Sequence, residues 1–388
     1  MRSILITTGI FAPDIGGPAS YARALSTRLA SDGIVVTVLT YSSVRHHPAD
    51  ADLSFRVCRV WAALPWGVRH ALFFVRAWWL ARHADALLSL NAVSAGLPTM
   101  WASRSAGKPL VVRIAGDYAW EMAVQTGATY LLLNEFQESP KSRRIRRLDA
   151  LQRRVTRQAA AVVVPSQYLA GVVAAWGVSP ERIHVIYNGV DLPRVDTPKE
   201  DARRQIGISG NIILSAGRLV PWKGFRMLIK LMPQLLQVNQ FFRLVIVGDG
   251  PDMSMLQSVV RNLGLERKVF LVGRKSAVDM ALFLAASDVF VLNTGYEGFS
   301  HQVLEAMQVG VPVITTTAGG NTEVVTQGAN GLLVRYNDEF NLVEAIKTIS
   351  KQPELRDQLV ANGRHTVAAF SIEKMYAQTR ELLTNLTQ

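Results

Sequence analysis

Two carboxylates and two cations define the chemistry this sequence is equipped for. Glu297 and Glu305 bracket Gly-Phe-Ser-His-Gln-Val-Leu, and an apolar-periodic helix starts near Ser300. Glu297 precedes that helix and Glu305 lies inside it, so both can face one cleft at the helix N-terminus. Unpaired backbone N–H groups at such a terminus, with the helix dipole behind them, suit a phosphate. An acid on either side of the phosphate would grip hydroxyls, which is the layout of a nucleotide sugar: sugar, diphosphate, ribose. Solvated acids on an ordinary amphipathic helix share this spacing, so the pair alone leaves both readings open.

The cations are Arg218 and Lys223, in Ser-Ala-Gly-Arg-Leu-Val-Pro-Trp-Lys-Gly after the strand-like run Asn211-Ile-Ile-Leu. A loop at the C-terminal end of a strand is where open α/β sheets bind ligands. Two fixed cations there would neutralise a departing diphosphate without a metal. A solvent-exposed basic loop is the plainer alternative.

These segments together resemble the retaining glycosyltransferases of family 4, which have the GT-B fold. The stretch Phe11-Ala-Pro-Asp-Ile-Gly-Gly-Pro-Ala-Ser-Tyr21 is similar to the family's glycine loop. Val164-Pro-Ser-Gln-Tyr-Leu169, Asn188-Gly-Val-Asp191 and Val245-Ile-Val-Gly-Asp-Gly-Pro251 resemble further family segments, and Glu297 with Glu305 forms its E-x7-E signature. In order and spacing the match covers almost the whole chain. It implies an α/β GT-B protein of two doubly wound Rossmann-like domains facing a central cleft. Residues 1–195 would bind the acceptor and 196–370 the nucleotide-sugar donor, with a C-terminal helix at 371–388 crossing back to the first domain.

The resemblance also implies roles. Arg218, Lys223 and the amides of Phe299, Ser300 and His301 would hold the diphosphate. Glu305 would bind the ribose and Glu297 the donor sugar. Gly248 and Arg274 would lie at the rim near base and ribose. Gly16 and Gly17 would let backbone approach the ligand and tolerate positive φ. Many family members carry a histidine in the loop where this chain has Arg113-Ile-Ala-Gly-Asp-Tyr; here Asp117 occupies roughly that place, as a hydroxyl-binding or acceptor-orienting group or as a plain turn residue. The implied donor is a UDP-sugar or a GDP-sugar, with no cofactor and no metal. Asp50-Ala-Asp52 reads as a loop after His46-His47-Pro48 and not as a metal-binding pair.

Composition sets the frame for these residues. A chain of 388 residues is too long for one ordinary core and predicts two domains. A hydrophobic content of 49% argues against disorder. No apolar run approaches the roughly 20 residues of a spanning helix. The start reads as a first strand with no signal peptide. The one cysteine, Cys58, cannot form an internal disulfide, so the expectation is a cytoplasmic protein.

The formal net charge is +12. Residues 1–195 hold 22 Lys+Arg and 12 Asp+Glu, a net of +10, and the remainder holds 20 and 18, a net of +2. Much of the excess lies in Lys141-Ser-Arg-Arg-Ile-Arg-Arg147 and in Arg153, Arg154 and Arg157. This predicts an anionic partner, whether nucleic acid, an acidic membrane surface such as the inner face of the cytoplasmic membrane, or a phosphorylated substrate, with a solvated basic helix as the alternative. The segment Trp66–Arg82 mixes aromatics with spaced arginines, which suits either a membrane interface or a helix packed on the first sheet. No nucleic-acid module is visible.

The elements that must position these groups alternate along the chain. Strand-like runs fall near residues 3–8, 34–40, 55–60, 86–90, 109–114, 160–165 and 183–187, then 211–216, 243–247, 269–272, 288–292, 311–315 and 331–334. Helical stretches between them predict parallel sheets with right-handed crossovers. A non-catalytic nucleotide-sugar-binding scaffold and a sugar-nucleotide epimerase remain alternatives, because fold does not fix chemistry.

Overall fold

The computed structural model describes residues 1–14, 16–190 and 192–387. Two positions of the sequence motifs, Ile15 and Asp191, lie outside the described residues. The chain divides into two compact units: Met1–Ala123 with Glu138–Tyr187 and Glu373–Gln388, and Val124–Gln137 with Asn188–Ile372.

The first unit holds strands β1 (Ser3–Thr8), β2 (Val35–Ser42), β3 (Arg56–Trp61), β4 (Ala86–Ser89), β5 (Leu110–Arg113), β6 (Ala161–Val164) and β7 (Ile183–Val185). They form one sheet in the order β3-β2-β1-β4-β5-β6-β7. β1 pairs in parallel with both β2 and β4, Ile4 lying opposite Val36 on one side and Ala86 on the other. The central strands are mostly apolar, β4, β5 and β6 burying every residue, because helices cover both faces of such a sheet. The C-terminal helix Ile372–Asn385 packs within this unit from Glu373 on. Glu373 pairs with Arg28 at 2.8 Å, the Tyr376 hydroxyl donates to Asp32 Oδ2 at 2.5 Å, and Leu383 is fully buried.

The second unit holds β8 (Asn211–Ala216), β9 (Phe242–Val247), β10 (Val269–Leu271), β11 (Val289–Leu292), β12 (Val313–Thr316) and β13 (Leu332–Val334). Their order is β10-β9-β8-β11-β12-β13, also parallel. The core around Ile213, Leu244, Ile246, Val291 and Ile314 is sealed by the helix Phe225–Val238, which buries Phe225, Leu228, Ile229 and Met232. The segment Val124–Gln137, which sequence reading placed with the first domain, packs on this unit instead: a Cβ at Gly295 would meet Leu132 Cδ2 at 2.7 Å. Gly189 is forced by close packing, since its Cβ would lie 2.3 Å from the Ile372 backbone.

In each sheet the strand order reverses once, between β1 and β4 and between β8 and β11. Crevices outside the strand C-termini at such a reversal are where doubly wound sheets bind ligands. The loops leaving β8 and β11 are the two that carry Arg218 with Lys223 and Glu297 with Ser300.

Candidate active site

The loop after β8 is built around its glycines. Gly217 donates to Val247 O at 3.0 Å, and Leu219 N reaches Asp249 O at 3.0 Å, tying the loop to the end of β9. A short turn at Pro221–Lys223 ends at Gly224, whose left-handed φ of 60° no side chain would share comfortably. A Cβ there would lie 2.2 Å from Asn293 O, so only glycine lets this loop seat against the end of β11.

The loop after β11 is fixed from three sides. Gly295 N donates to Trp222 O at 2.7 Å, and the Thr294 hydroxyl donates to Tyr296 O at 2.7 Å. Gly320 N donates to Glu297 O at 2.9 Å, and a Cβ at Gly319, where φ is 58°, would lie 2.0 Å from the same oxygen. Asn293 and Asn337 exchange two bonds of about 3 Å, and the Tyr336 hydroxyl donates to Pro221 O. Sequence reasoning missed Asn293, Thr294, Gly319 and Asn337. The one signal for them was Asn337-Asp338 after β13, a pair suited to left-handed backbone.

These loops bring Lys223 and Glu297 together. Lys223 Nζ donates to Glu297 Oε2, and the two side chains are only 10% and 14% exposed. A charged pair so shielded from water is held by its own attraction and by the loops on either side. Arg218 is different: its side chain is exposed, and among the described residues it has no ion pair. The site thus holds one preset cation and one free to reach an incoming anion.

The helix His301–Val309 starts where the sequence predicts. Ser300 caps it, its hydroxyl accepting from Val303 N at 3.3 Å. The capping leaves other first-turn N–H groups for an anion. His301 opens the helix half-buried. The Phe299 ring turns inward, 4% exposed and 5.4 Å from the Phe370 ring, so it is a packing residue whose backbone alone borders the helix start. Glu305 is half-buried and makes no hydrogen bond or ion pair among the described residues; burial pushes its carboxyl up to about 7. An acid without partners and at the edge of ionisation is suited to accept from ligand hydroxyls.

Gly248 serves packing: its Cβ would meet Gly217 O at 1.9 Å, and its N–H donates to Gly273 O at 2.9 Å. Beside it Arg274 pairs loosely with Asp249 at 3.5 Å, both side chains half-exposed at the rim.

The first-unit candidates differ from expectation. Gly16 has a φ of 168°, which is extended backbone open to any residue, and Gly17 is the first residue of the helix Gly17–Ser31. Neither uses the left-handed region; a Cβ at Gly16 would meet the end of Ile10 at 2.7 Å and Pro18 Cδ at 3.9 Å. Asp117 is fully buried. Its Oδ1 accepts from Trp120 N at 3.0 Å and from Gln152 Nε2 at 2.8 Å, capping the helix Tyr118–Gln125 instead of presenting a carboxylate to solvent. Asp50 belongs to a short turn and pairs with Arg59 at 2.6 Å. Among the described residues no group of three His, Cys, Asp or Glu side chains is placed to hold a metal, and no helix is long and apolar enough to cross a membrane.

Known proteins share both halves of this architecture. Residues 15–194 match the family model described as Glycosyltransferase Family 4, and residues 197–366 match Glycosyl transferases group 1. The GDP-mannose-dependent monoacylated alpha-(1-6)-phosphatidylinositol monomannoside mannosyltransferase of Corynebacterium glutamicum is 30% identical over 100% of this chain and 98% of its own length. The lipopolysaccharide core biosynthesis glycosyltransferase LpsE of Rhizobium meliloti is 32% identical over 50% of this chain and 54% of its own. Among solved structures, Anabaena HepE in complex with UDP and glucose superposes with a TM-score of 0.82 at 21% identity, over 99% of this chain and 100% of that one. Two parallel Rossmann-like sheets, matches along nearly the full chain and a full-length relative place it in one group: the chain belongs to glycosyltransferase family 4 and has the GT-B fold.

Proposed function

We propose that this glycosyltransferase is retaining and metal-independent, and that it moves a sugar from a UDP-sugar or GDP-sugar to a lipid-linked or other carbohydrate acceptor in surface polysaccharide or glycolipid synthesis. The observation that carries the reading is the shielded Lys223–Glu297 pair beside Arg218 and the start of the helix His301–Val309. Lys223, Arg218 and the helix amides neutralise the departing diphosphate, the task a metal performs elsewhere. Glu297 accepts from donor sugar hydroxyls, and Glu305 accepts from the ribose. The acceptor oxygen bonds to the anomeric carbon on the face the diphosphate leaves, the carbon–oxygen bond to diphosphate breaks, and the acceptor proton passes to a phosphate oxygen. Buried Asp117 holds its loop in place and does not touch the donor.

The acceptor belongs to the first unit and the membrane surface. In the helix Arg143–Gln158, Arg143, Arg144, Arg146 and Arg147 are exposed, and the first turn carries no acid. Cations at a helix N-terminus oppose the dipole and are repaid by an anionic partner. The Corynebacterium relative's name supports a phosphoinositide-type lipid acceptor and makes GDP-mannose the first donor to test.

The test is donor turnover in excess EDTA, followed by proton NMR. An α-linked donor should release α-sugar first, and turnover should survive the chelator. Release of the β-anomer first overturns retention, and loss restored by magnesium overturns metal independence. Tight nucleotide binding without any turnover favours a non-catalytic scaffold.

A further inference from the structure

We infer that a groove beside β3 is a binding site for one hydrocarbon chain of an anionic, phosphate-headed phospholipid of the bilayer. The groove measures about 750 Å³ and runs between the edge strand β3 and the helix Trp66–Ala81. Such a volume lies within the roughly 300–1,000 Å³ of small-molecule sites. Its walls are apolar: Trp61, Leu72, Val75, Trp78 and Trp79 among others. Its remaining lining is basic, with Arg45, Arg56, Arg59 and Arg76, and none of the lining residues is acidic.

The arginines divide by role. Arg59 is part of the floor: it chelates Asp50 with bonds of 2.7 and 2.6 Å and donates to Ala12 O at 2.6 Å. Arg76 donates to Arg59 O, blocking an edge-strand carbonyl that would otherwise invite strand pairing. Arg45 and Arg56 are exposed and have no carboxylate partner among the described residues. The Arg45 guanidinium stacks 4.9 Å from the Trp61 ring, which leaves its N–H edge for a phosphate. An apolar trough with unpaired guanidinium groups complements an amphiphile with a hydrocarbon chain and an anionic head.

The helix itself points to the bilayer as the source. Trp66 is 71% exposed and Trp79 51%, with Val68 and Val75 at 53% each, and Trp66 and Val68 lie outside the groove's lining. Aromatics and arginines on one helix fit the headgroup boundary of a membrane, where phospholipid is abundant. The inference shares with the proposed function only the premise that the first unit meets lipid. Its readout requires no sugar transfer, so either can fail alone.

Cys58 lines the groove, is partly exposed and is the chain's one cysteine, so it reports occupancy. The experiment measures its maleimide modification rate in the intact protein. The probes are single-chain lysophosphatidylglycerol below its micelle-forming concentration, lysophosphatidylcholine of the same chain, and glycerophosphate. At about ten times Kd, lysophosphatidylglycerol should slow labelling saturably by about tenfold, by mass action. Lysophosphatidylcholine should protect less, and glycerophosphate not at all. Arg56→Glu, an exposed change that spares the core, should weaken protection, and Arg56→Glu with Val75→Glu should abolish it while near-UV circular dichroism stays native. Equal protection by the zwitterionic lipid, protection unchanged in both variants, or no protection overturns the assignment. Protection that rises with protein concentration in the absence of lipid overturns it in favour of a second copy on β3. Should Cys58 fail to react even without lipid, tryptophan quenching by a chain-brominated lysophosphatidylglycerol replaces it: saturable quenching supports the site, and none overturns it.

Discussion

The two units handle positive charge in opposite ways. In the second, Lys223 is buried against Glu297, and its loop is seated by glycines that admit no other residue. In the first, four arginines crowd the exposed start of the helix Arg143–Gln158, while Asp149 pairs further along with Lys141 and Arg153. A preorganised cation costs nothing to position at the moment of reaction, and its removal is felt in the transition state. An exposed cluster acts at longer range, each member contributes modestly, and salt screens it. The first arrangement suits a bond-breaking step and the second suits attachment.

The comparison is broken most readily at the shielded pair. Lys223→Met should lower transfer by roughly 10²–10³-fold, as loss of a preorganised donor does. It should also destabilise the protein by about 3 kcal/mol, because Glu297 is left shielded without its partner. Adding Glu297→Leu should restore the unfolding midpoint without restoring transfer. Recovery of both would reduce the pair to a structural role.

Arg218→Ala is the milder version. The side chain is exposed and has no ion pair among the described residues, so stability should change by no more than about 0.5 kcal/mol. Steady-state kinetics should still show a loss of about 10² in kcat/KM if the guanidinium meets the diphosphate. On the other unit, Arg143→Gln with Arg147→Gln should weaken flotation on anionic liposomes by about 2 kcal/mol, roughly thirtyfold, and leave nucleotide binding untouched. Weakened nucleotide binding would erase the division of labour.

Glu305 gives the smallest effect and a sign that can be checked. Its carboxyl is raised from 4.5 to about 7, so the folded state binds the proton more tightly than the unfolded one. Stability from this group is present below about 4.5 and is lost as pH rises through about 7. Full burial would make that loss about 3 kcal/mol; with part of the residue still open to solvent, about 1–3 kcal/mol is the fair range. Glu305→Gln should therefore stabilise the free enzyme slightly at pH 8, by thermal denaturation, while weakening nucleotide binding. If ionised Glu305 accepts from the ribose, wild-type affinity for nucleotide should rise from pH 6 to pH 8 more than that of the glutamine variant.

The thirteen strands among the described residues were legible in sequence, because strands buried on both faces are written as mostly apolar runs. Glu297, Glu305, Arg218 and Lys223 stood out in sequence because their spacing is local, and of these the structure joins Lys223 and Glu297. What failed depends on depth and on distant neighbours. Asp117 looks chemical in sequence, but it caps a helix from full burial, and burial is not written locally. Asn293 and Gly319 were missed because their partners, Asn337 and the Glu297 backbone, come from other strand ends. The Lys223–Glu297 contact joins residues 74 apart, so no window of sequence could show it.

The central claim is that the second unit binds a nucleoside diphosphate through Lys223 and Arg218 without a metal. Isothermal titration of UDP and GDP into the wild-type protein in excess EDTA tests it directly, with Arg218→Ala/Lys223→Met as control. Saturable binding of at least one nucleotide should occur and should fall by about 10² or more in the folded double variant. Absence of binding until a divalent metal is added, or equal affinity in the variant, would contradict the account.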